Sequence, residues 1–323
     1  MLHVSEQLLK GNKRSLSRAI SLLERGDPQG AVVTGETYSH VGNAYCVGIT
    51  GPPGAGKSTL IACLIGLLRN QNLSVGVIGV DPTSPYSGGA LLGDRIRMQE
   101  HYLDPGVFIR SMATRGSHGG VPRIVKGVER LLDASGKDVV LVETVGVGQT
   151  EVDVMGVADT VVVTLVPEAG DAIQTLKAGL MEIADIYVVN KADRPGADKM
   201  IAAVRSTLAL GVSDDSWIPP VVATDAVNGQ GLDKLWAGIS EHREYISRTG
   251  KLESRRRARR SQEFFEVVEE ELGRRIKERL HKDPEMRSLL NQVESGKQDP
   301  YSFALALLED QLTGLGDTFL FNR

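Results

Sequence analysis

Three clusters in this chain have the residue types, in the order, that phosphate chemistry requires. The first is Gly51-Pro52-Pro53-Gly54-Ala55-Gly56-Lys57-Ser58-Thr59, which fits G-x-x-x-x-G-K-[ST] between an apolar run and a helical pattern. Glycines let successive backbone N–H groups curl around a β-phosphate, and the following helix turns its positive end toward the same anion. Lys57 can then neutralise β and γ oxygens, while the Ser58 hydroxyl ligates Mg²⁺. The second cluster is the apolar run from Asp138 to Glu143 with Thr144-Val145-Gly146 after it. Glu143 can hold the hydration shell of the metal, and Gly146 can offer its N–H to the γ-phosphate.

The third cluster selects the base. Asn190-Lys191-Ala192-Asp193 follows the apolar run from Ile186 to Val189. A carboxylate at Asp193 accepts two hydrogen bonds, from guanine N1–H and the 2-amino group, whereas adenine would leave that charge unpaired. Asn190 would steady the loop and Lys191 would lie along the base. Thr224-Asp225-Ala226-Val227 stands where a second base loop belongs, with the Ala226 N–H toward guanine O6 and Asp225 in the place of a serine. Asp81, at the end of another apolar run, and Asp94 in Gly93-Asp94-Arg95 can each bind Mg²⁺ or position water; each can equally be a helix cap or turn residue. The clusters together imply GTP and GDP as ligands, Mg²⁺ as cofactor, and hydrolysis of the terminal phosphate.

Positioning these groups requires a parallel sheet. Apolar runs at Tyr45–Thr50, Ser74–Val80, Val107–Ser111, Asp138–Glu143, Thr160–Val166, Ile186–Asn190 and Pro219–Ala223 are rich in valine and isoleucine without polar alternation. That pattern predicts strands buried on both faces, with helical crossovers between them. Leu60, Cys63, Leu64, Leu67 and Leu68 form a helical stripe facing the sheet. The expected organisation is an N-terminal helical extension over 1–44, a nucleotide domain over 45–248 and a C-terminal helical arm over 249–323. In the extension, Leu16, Ala19, Ile20 and Leu23 share a helix face, and the stretch from Gly26 to Gly30 ends that helix. In the arm, Phe265, Val268, Leu272, Ile276 and Leu280 form a stripe that packs on its own domain or on a second copy. The arginines Arg255–Arg257, Arg259 and Arg260 read as a solvated face.

Composition limits the partners. A net charge of −4 over 323 residues argues against a general nucleic-acid or membrane binder. No apolar run approaches the ~20 residues needed to span a bilayer, and the N-terminus lacks the charged-then-apolar pattern of a leader. Cys46 and Cys63 sit inside apolar segments, as buried free thiols do, which fits a cytoplasmic protein.

Longer stretches carry a resemblance. Asp81-Pro82-Thr83-Ser84-Pro85, the run from Gly88 to Arg95, the run from Glu143 to Glu151, and Gly170-Asp171 through Lys177-Ala178-Gly179 resemble the MeaB/ArgK family. Its members are GTPase chaperones of adenosylcobalamin-dependent acyl-CoA mutases, methylmalonyl-CoA mutase above all. The resemblance implies a P-loop fold of the SIMIBI type and a homodimer formed through the C-terminal arm. It implies that Asp94 joins Ser58 near Mg²⁺, with Asp81 and Glu143 close to the metal and the γ-phosphate. Residues 81–95 would form switch I, 144–156 switch II, and about 167–177 a third switch that couples nucleotide state to the mutase through Asp171, Gln174 and Lys177. Glu168 stands where the family has glycine, and Ala172-Ile173 replace a more polar pair. Gln149 lies three residues after Gly146, where it could position water.

Two other classes compete. A nickel-type metal-insertion GTPase needs clustered histidine and cysteine ligands, whereas His3, His40, His101, His118, His242 and His281 are scattered. An ATP-dependent kinase tied to amino-acid transport conflicts with the guanine preference of Asn190–Asp193.

Overall fold

Valine-rich strands with no polar alternation have no face to give to water, so both faces of the sheet must be covered. In the computed structural model, which describes residues 2–82, 98–114, 123–144, 154–167, 181–209 and 217–305, this is the arrangement found. Strands β1 (Tyr45–Thr50), β2 (Val75–Pro82), β3 (Val107–Thr114), β4 (Val139–Glu143), β5 (Thr160–Leu165), β6 (Ile186–Asn190) and β7 (Val221–Thr224) form one sheet in the order β3-β2-β4-β1-β5-β6-β7. Every neighbouring pair is parallel.

Alternate residues of each strand feed two cores. On one face lie α1 (Leu2–Leu9), α2 (Lys13–Glu24), α3 (Pro28–Thr37), α5 (Arg123–Ala134) and α6 (Ala197–Ala209), around Leu16, Ile20, Val33, Leu131 and Val204. On the other lie α4 (Lys57–Asn70) and α7 (Leu232–Arg248), around Leu60, Leu64, Leu235 and Ile239. Leu16, Ala19 and Ile20 are buried as the helical spacing predicts, with Leu23 packed beside them.

The N-terminal reading needs one correction. The stretch from Gly26 to Gly30 ends one helix but also starts another. Asp27 caps α3 by accepting the Gln29 N–H at 2.9 Å, and Pro28 occupies the first helical turn, where its missing N–H costs nothing. Gly30 lets the two helices touch, since a Cβ there would lie 2.9 Å from the Leu23 nitrogen.

The chain divides into two compact units, Met1–Arg259 and Arg260–Arg323. Helix α8 (Lys251–Lys282) contains no buried residue, and α9 (Pro284–Glu294) follows it. Within the second unit, Glu271 pairs with Arg274 at 2.7 Å and with Arg275 at 2.7 Å, ordinary helix-surface ion pairs. The arginine cluster differs from its reading as a solvated face. Arg255, Arg256 and Arg259 donate to Asp159, Asp185 and strand-end carbonyls, because the sheet order brings those two acids side by side.

Candidate active site

In a parallel sheet all strands finish at one edge, and here that edge collects every described cluster from the sequence. β1 ends at Thr50 and turns into the phosphate loop. Gly51 has φ 139° and Gly56 has φ 83°, both left-handed. At Gly51 a side chain would collide with the Thr164 carbonyl; at Gly56 a Cβ would stand 2.5 Å from Asn190 Nδ2. These two glycines are therefore required by packing as well as by backbone geometry. Gly56 caps α4 without any side-chain hydrogen bond, and the helix turns its positive end toward the phosphate loop.

Lys57 is 6% exposed, and its Nζ donates to the carbonyls of Gly51 at 2.8 Å and Pro52 at 3.1 Å, which holds the ammonium across the loop. Ser58 Oγ donates to Glu143 Oε1 at 2.7 Å. These residues lie 85 positions apart, and β1–β4 pairing makes them meet: Glu143 is in register with Ile49 on one side and Gly79 on the other. Asp81 is two positions beyond Gly79 on β2, at the same edge, although its side chain is outside the described residues.

Asn190, 2% exposed, joins the two halves of the site. Its Nδ2 donates to the Ala55 carbonyl at 2.8 Å, and its Oδ1 accepts from Thr224 Oγ1 at 3.1 Å and from the Ala226 N–H at 3.2 Å. Lys191 then adopts φ 57°, and the Ala192 N–H donates to the Thr224 carbonyl at 3.0 Å, leaving Asp193 exposed at the edge. The Asp225 carboxylate closes its own turn, accepting from Asn228 N at 3.3 Å and Nδ2 at 2.6 Å. The Ala226 N–H thus goes to Asn190 in this arrangement, and Val227 is 82% exposed.

The chain from residue 16 to 281 matches the family of the methylmalonyl Co-A mutase-associated GTPase MeaB. This chain belongs to that family. A Pyrococcus abyssi protein, itself assigned as a GTPase, is 48% identical over 96% of this chain and 96% of its own length. The mouse mitochondrial methylmalonic aciduria type A homolog is 34% identical over 82% of this chain and 65% of its own. A crystal structure titled LAO/AO transport system kinase superposes with a TM-score of 0.72 at 27% identity, over 96% of this chain and 97% of that one. Family and fold together make the chain a GTP-hydrolysing P-loop protein, as the motifs imply.

Sequence reasoning missed the parts that Thr144 and Cys63 play in this MeaB-type site. Thr144 is 1% exposed; its Oγ1 donates to Thr50 Oγ1 at 2.8 Å and its N–H to the Ile49 carbonyl at 3.1 Å. The start of the chain after β4 is thereby tied to the residue before the phosphate loop. Cys63 on α4 donates to the Ala226 carbonyl at 3.0 Å and so ties the turn from Asp225 to Val227 to the helix. Burial, reinforced by Glu100, raises the Cys63 thiol above its ordinary value and keeps it a neutral donor. An apolar helical stripe gives no sign of that second duty. Asp94, Gly146, Gln149, Asp171, Gln174 and Lys177 lie outside the described residues.

Proposed function

We propose that this GTPase works with Mg²⁺ and gates cofactor loading of an adenosylcobalamin-dependent acyl-CoA mutase, as a homodimer joined through its C-terminal arm. The contact that carries the metal reading is Ser58 Oγ to Glu143 Oε1, a buried hydroxyl and carboxylate at 2.7 Å. Two hard oxygen donors at the start of a P-loop helix fit Mg²⁺, with Asp81 and Asp94 as further candidates. Bound there, the ion would neutralise charge on the β and γ oxygens. The protein's own part is positioning. Gly51 to Thr59 would cradle the phosphates, Lys57 would carry positive charge to them, and Asn190, Lys191, Asp193 and the turn from Asp225 to Val227 would hold the base.

The mutase reading is carried by the family match over residues 16–281. Its physical basis is differential binding: a switch can drive a partner only by as much as the two nucleotide states differ in their fit. Thr144, tied to Thr50, puts the start of one candidate switch on the strand that leads into the phosphate loop. Asp171, Gln174 and Lys177 are the proposed contacts to the mutase.

The test measures GTP turnover of the full chain with and without the acyl-CoA mutase of the same organism, alongside transfer of adenosylcobalamin. Faster turnover with the mutase, and transfer in only one nucleotide state, are expected. Lys57→Ala should remove nearly all hydrolysis. A mutase that changes neither the rate nor the transfer refutes the reading.

A further inference from the structure

A parallel sheet obliges each crossover to run from the C-terminal edge back to the N-terminal edge. Two crossovers of this protein begin beside the phosphate loop. One leaves β4 at Glu143-Thr144, returns through the 3₁₀ turn Val154–Gly156 and enters β5. β1 lies between β4 and β5, and the described end of this crossover, from Val154 to Ala158, lies against the strand that carries the phosphate loop. It presses on β1 at Gly48, where a Cβ would collide with Val154 and lie 2.9 Å from Ala158 Cβ. The other leaves β5 after Leu165, returns through Met181–Ile183 and enters β6.

The two crossovers end on one arginine cluster, the first on Arg256 and Arg259 and the second on Arg255, which also reaches the Asp159 carbonyl. Asp159, just before β5 and 1% exposed, accepts the Cys46 N–H of β1 at 3.1 Å, Arg256 Nε at 3.1 Å and Nη2 at 2.6 Å, and Arg259 Nη2. Arg259 Nη1 also donates to the Val157 carbonyl at 2.6 Å and to that of Ala158, directly after the 3₁₀ turn. Asp185, just before β6, accepts from the Val161 N–H at 2.9 Å and from Arg255 at 3.2 Å, and His242 Nε2 stands 3.1 Å from its carboxylate. Arg256 reaches the Gly42 and Ala44 carbonyls at 2.8 Å each, on the chain entering β1.

A pocket of about 240 Å³, lined by Met155, Ala158, Ile183, Ala184, Arg255 and Arg259 among others, lies beside these contacts. Close-packed contacts cannot change partners without strain, whereas this gap leaves the guanidinium groups room to do so.

We propose that Arg255, Arg256 and Arg259 pass the nucleotide state of the phosphate edge to helix α8, and that a ligand of α8 changes GTP affinity through the same contacts. The relay rests on the GTPase reading of the site. It is reciprocal, because coupling between two sites acts equally in both directions.

The test is amide hydrogen exchange of the full chain with GDP and with a non-hydrolysable GTP analogue, read over α8. Wild type should show exchange rates in α8 that differ by at least about fivefold between the two states, the lower end of common coupling strengths. Arg259→Gln should bring the two states together while GDP affinity stays within a few-fold of wild type. Arg259→Lys, which keeps charge but loses the two-pronged contact, should restore part of the difference. If Arg259→Gln fails to fold, Arg255→Gln at the more exposed side of the cluster gives the same comparison. Tight nucleotide binding with equal exchange in both states of wild type, or a full difference in Arg259→Gln, overturns the relay alone. A chain that binds neither nucleotide overturns the GTPase reading and the relay with it.

Discussion

Asn190→Ala removes a side chain that ties the phosphate loop to the turn from Asp225 to Val227, so its effect can be worked from three contacts. The Ala55 carbonyl, the Thr224 hydroxyl and the Ala226 N–H each lose their bond to it, at 2.8, 3.1 and 3.2 Å. All three bonds lie in the buried interior. A net hydrogen bond contributes about 1 kcal/mol, and a buried group left unpaired costs about 1–3 kcal/mol. The lower figures sum to about 3 kcal/mol of stability. Two of the three groups, Ala55 and Ala226, belong to loops that would have to be ordered again around the nucleotide. Their share of about 2 kcal/mol corresponds to roughly 30-fold weaker GDP binding. Calorimetric titration with GDP and Mg²⁺, beside urea unfolding, measures both quantities. Asn190→Asp separates the contributions: it keeps the acceptor for Thr224 and Ala226 but sets an anionic oxygen against the Ala55 carbonyl, so it should bind GDP no better than the alanine variant. If Asn190→Ala binds GDP within twofold of wild type and unfolds at the same urea concentration, Asn190 does not join the two loops.

Two further outcomes follow from single side chains. Asp193→Asn exchanges an acceptor for a donor, so GTP affinity should fall by at least about 100-fold and xanthosine triphosphate should gain, checked by competition binding. The Glu129 carboxyl on α5 is pushed up to about 8 by burial, and further by the charges of Asp159 and Asp133. A raised carboxyl binds its proton more tightly in the folded state, so its stabilising share is complete below the ordinary value of 4.5 and is lost as pH rises through about 8. Glu129→Gln should therefore raise Tm at pH 8.5 and leave it nearly unchanged at pH 4. Burial opposes ionisation of Asp159, but the bonds and charges of Arg256 and Arg259 outweigh it and hold that carboxyl below its ordinary value of 3.8, so its own contribution is intact at both pH values. A melting curve that shifts equally at both pH values refutes the assignment.

What the sequence disclosed follows from how local each signal is. Tyr45–Thr50 and Ile186–Asn190 have the bounds that their apolar runs predict, because Gly51 and the left-handed Lys191 stop them. β2 instead runs to Pro82, two residues past its apolar run, since its end is set by pairing of Pro82 with Thr114 on β3. Helix α3 escaped because Asp27-Pro28 reads as a turn until Asp27 is seen to accept the Gln29 N–H. The motifs that the sheet edge gathers were legible, since each is contiguous. The contacts among them were not: Asn190 and Ala55 lie 135 positions apart. The arginine cluster was misread for the same reason, as Asp159 and Asp185 are isolated acids until β5 and β6 are neighbours.

The strand order explains why one edge can hold the chemistry and the other can register it. With β1 between β4 and β5, the described end of the crossover that leaves Glu143 lies against the phosphate-loop strand. The approach is close only because position 48 is glycine, since any side chain there would meet Val154 and Ala158. The same crossover is fastened at its start by Thr144 to Thr50 and at its end by Asp159 to Cys46, so both fixed points lie on β1 or directly beside it. Between them, Val154 and Ala158 meet β1 at Gly48, and the Val157 and Ala158 carbonyls accept from Arg259, so the described end of the crossover touches the phosphate-loop strand and α8 at once.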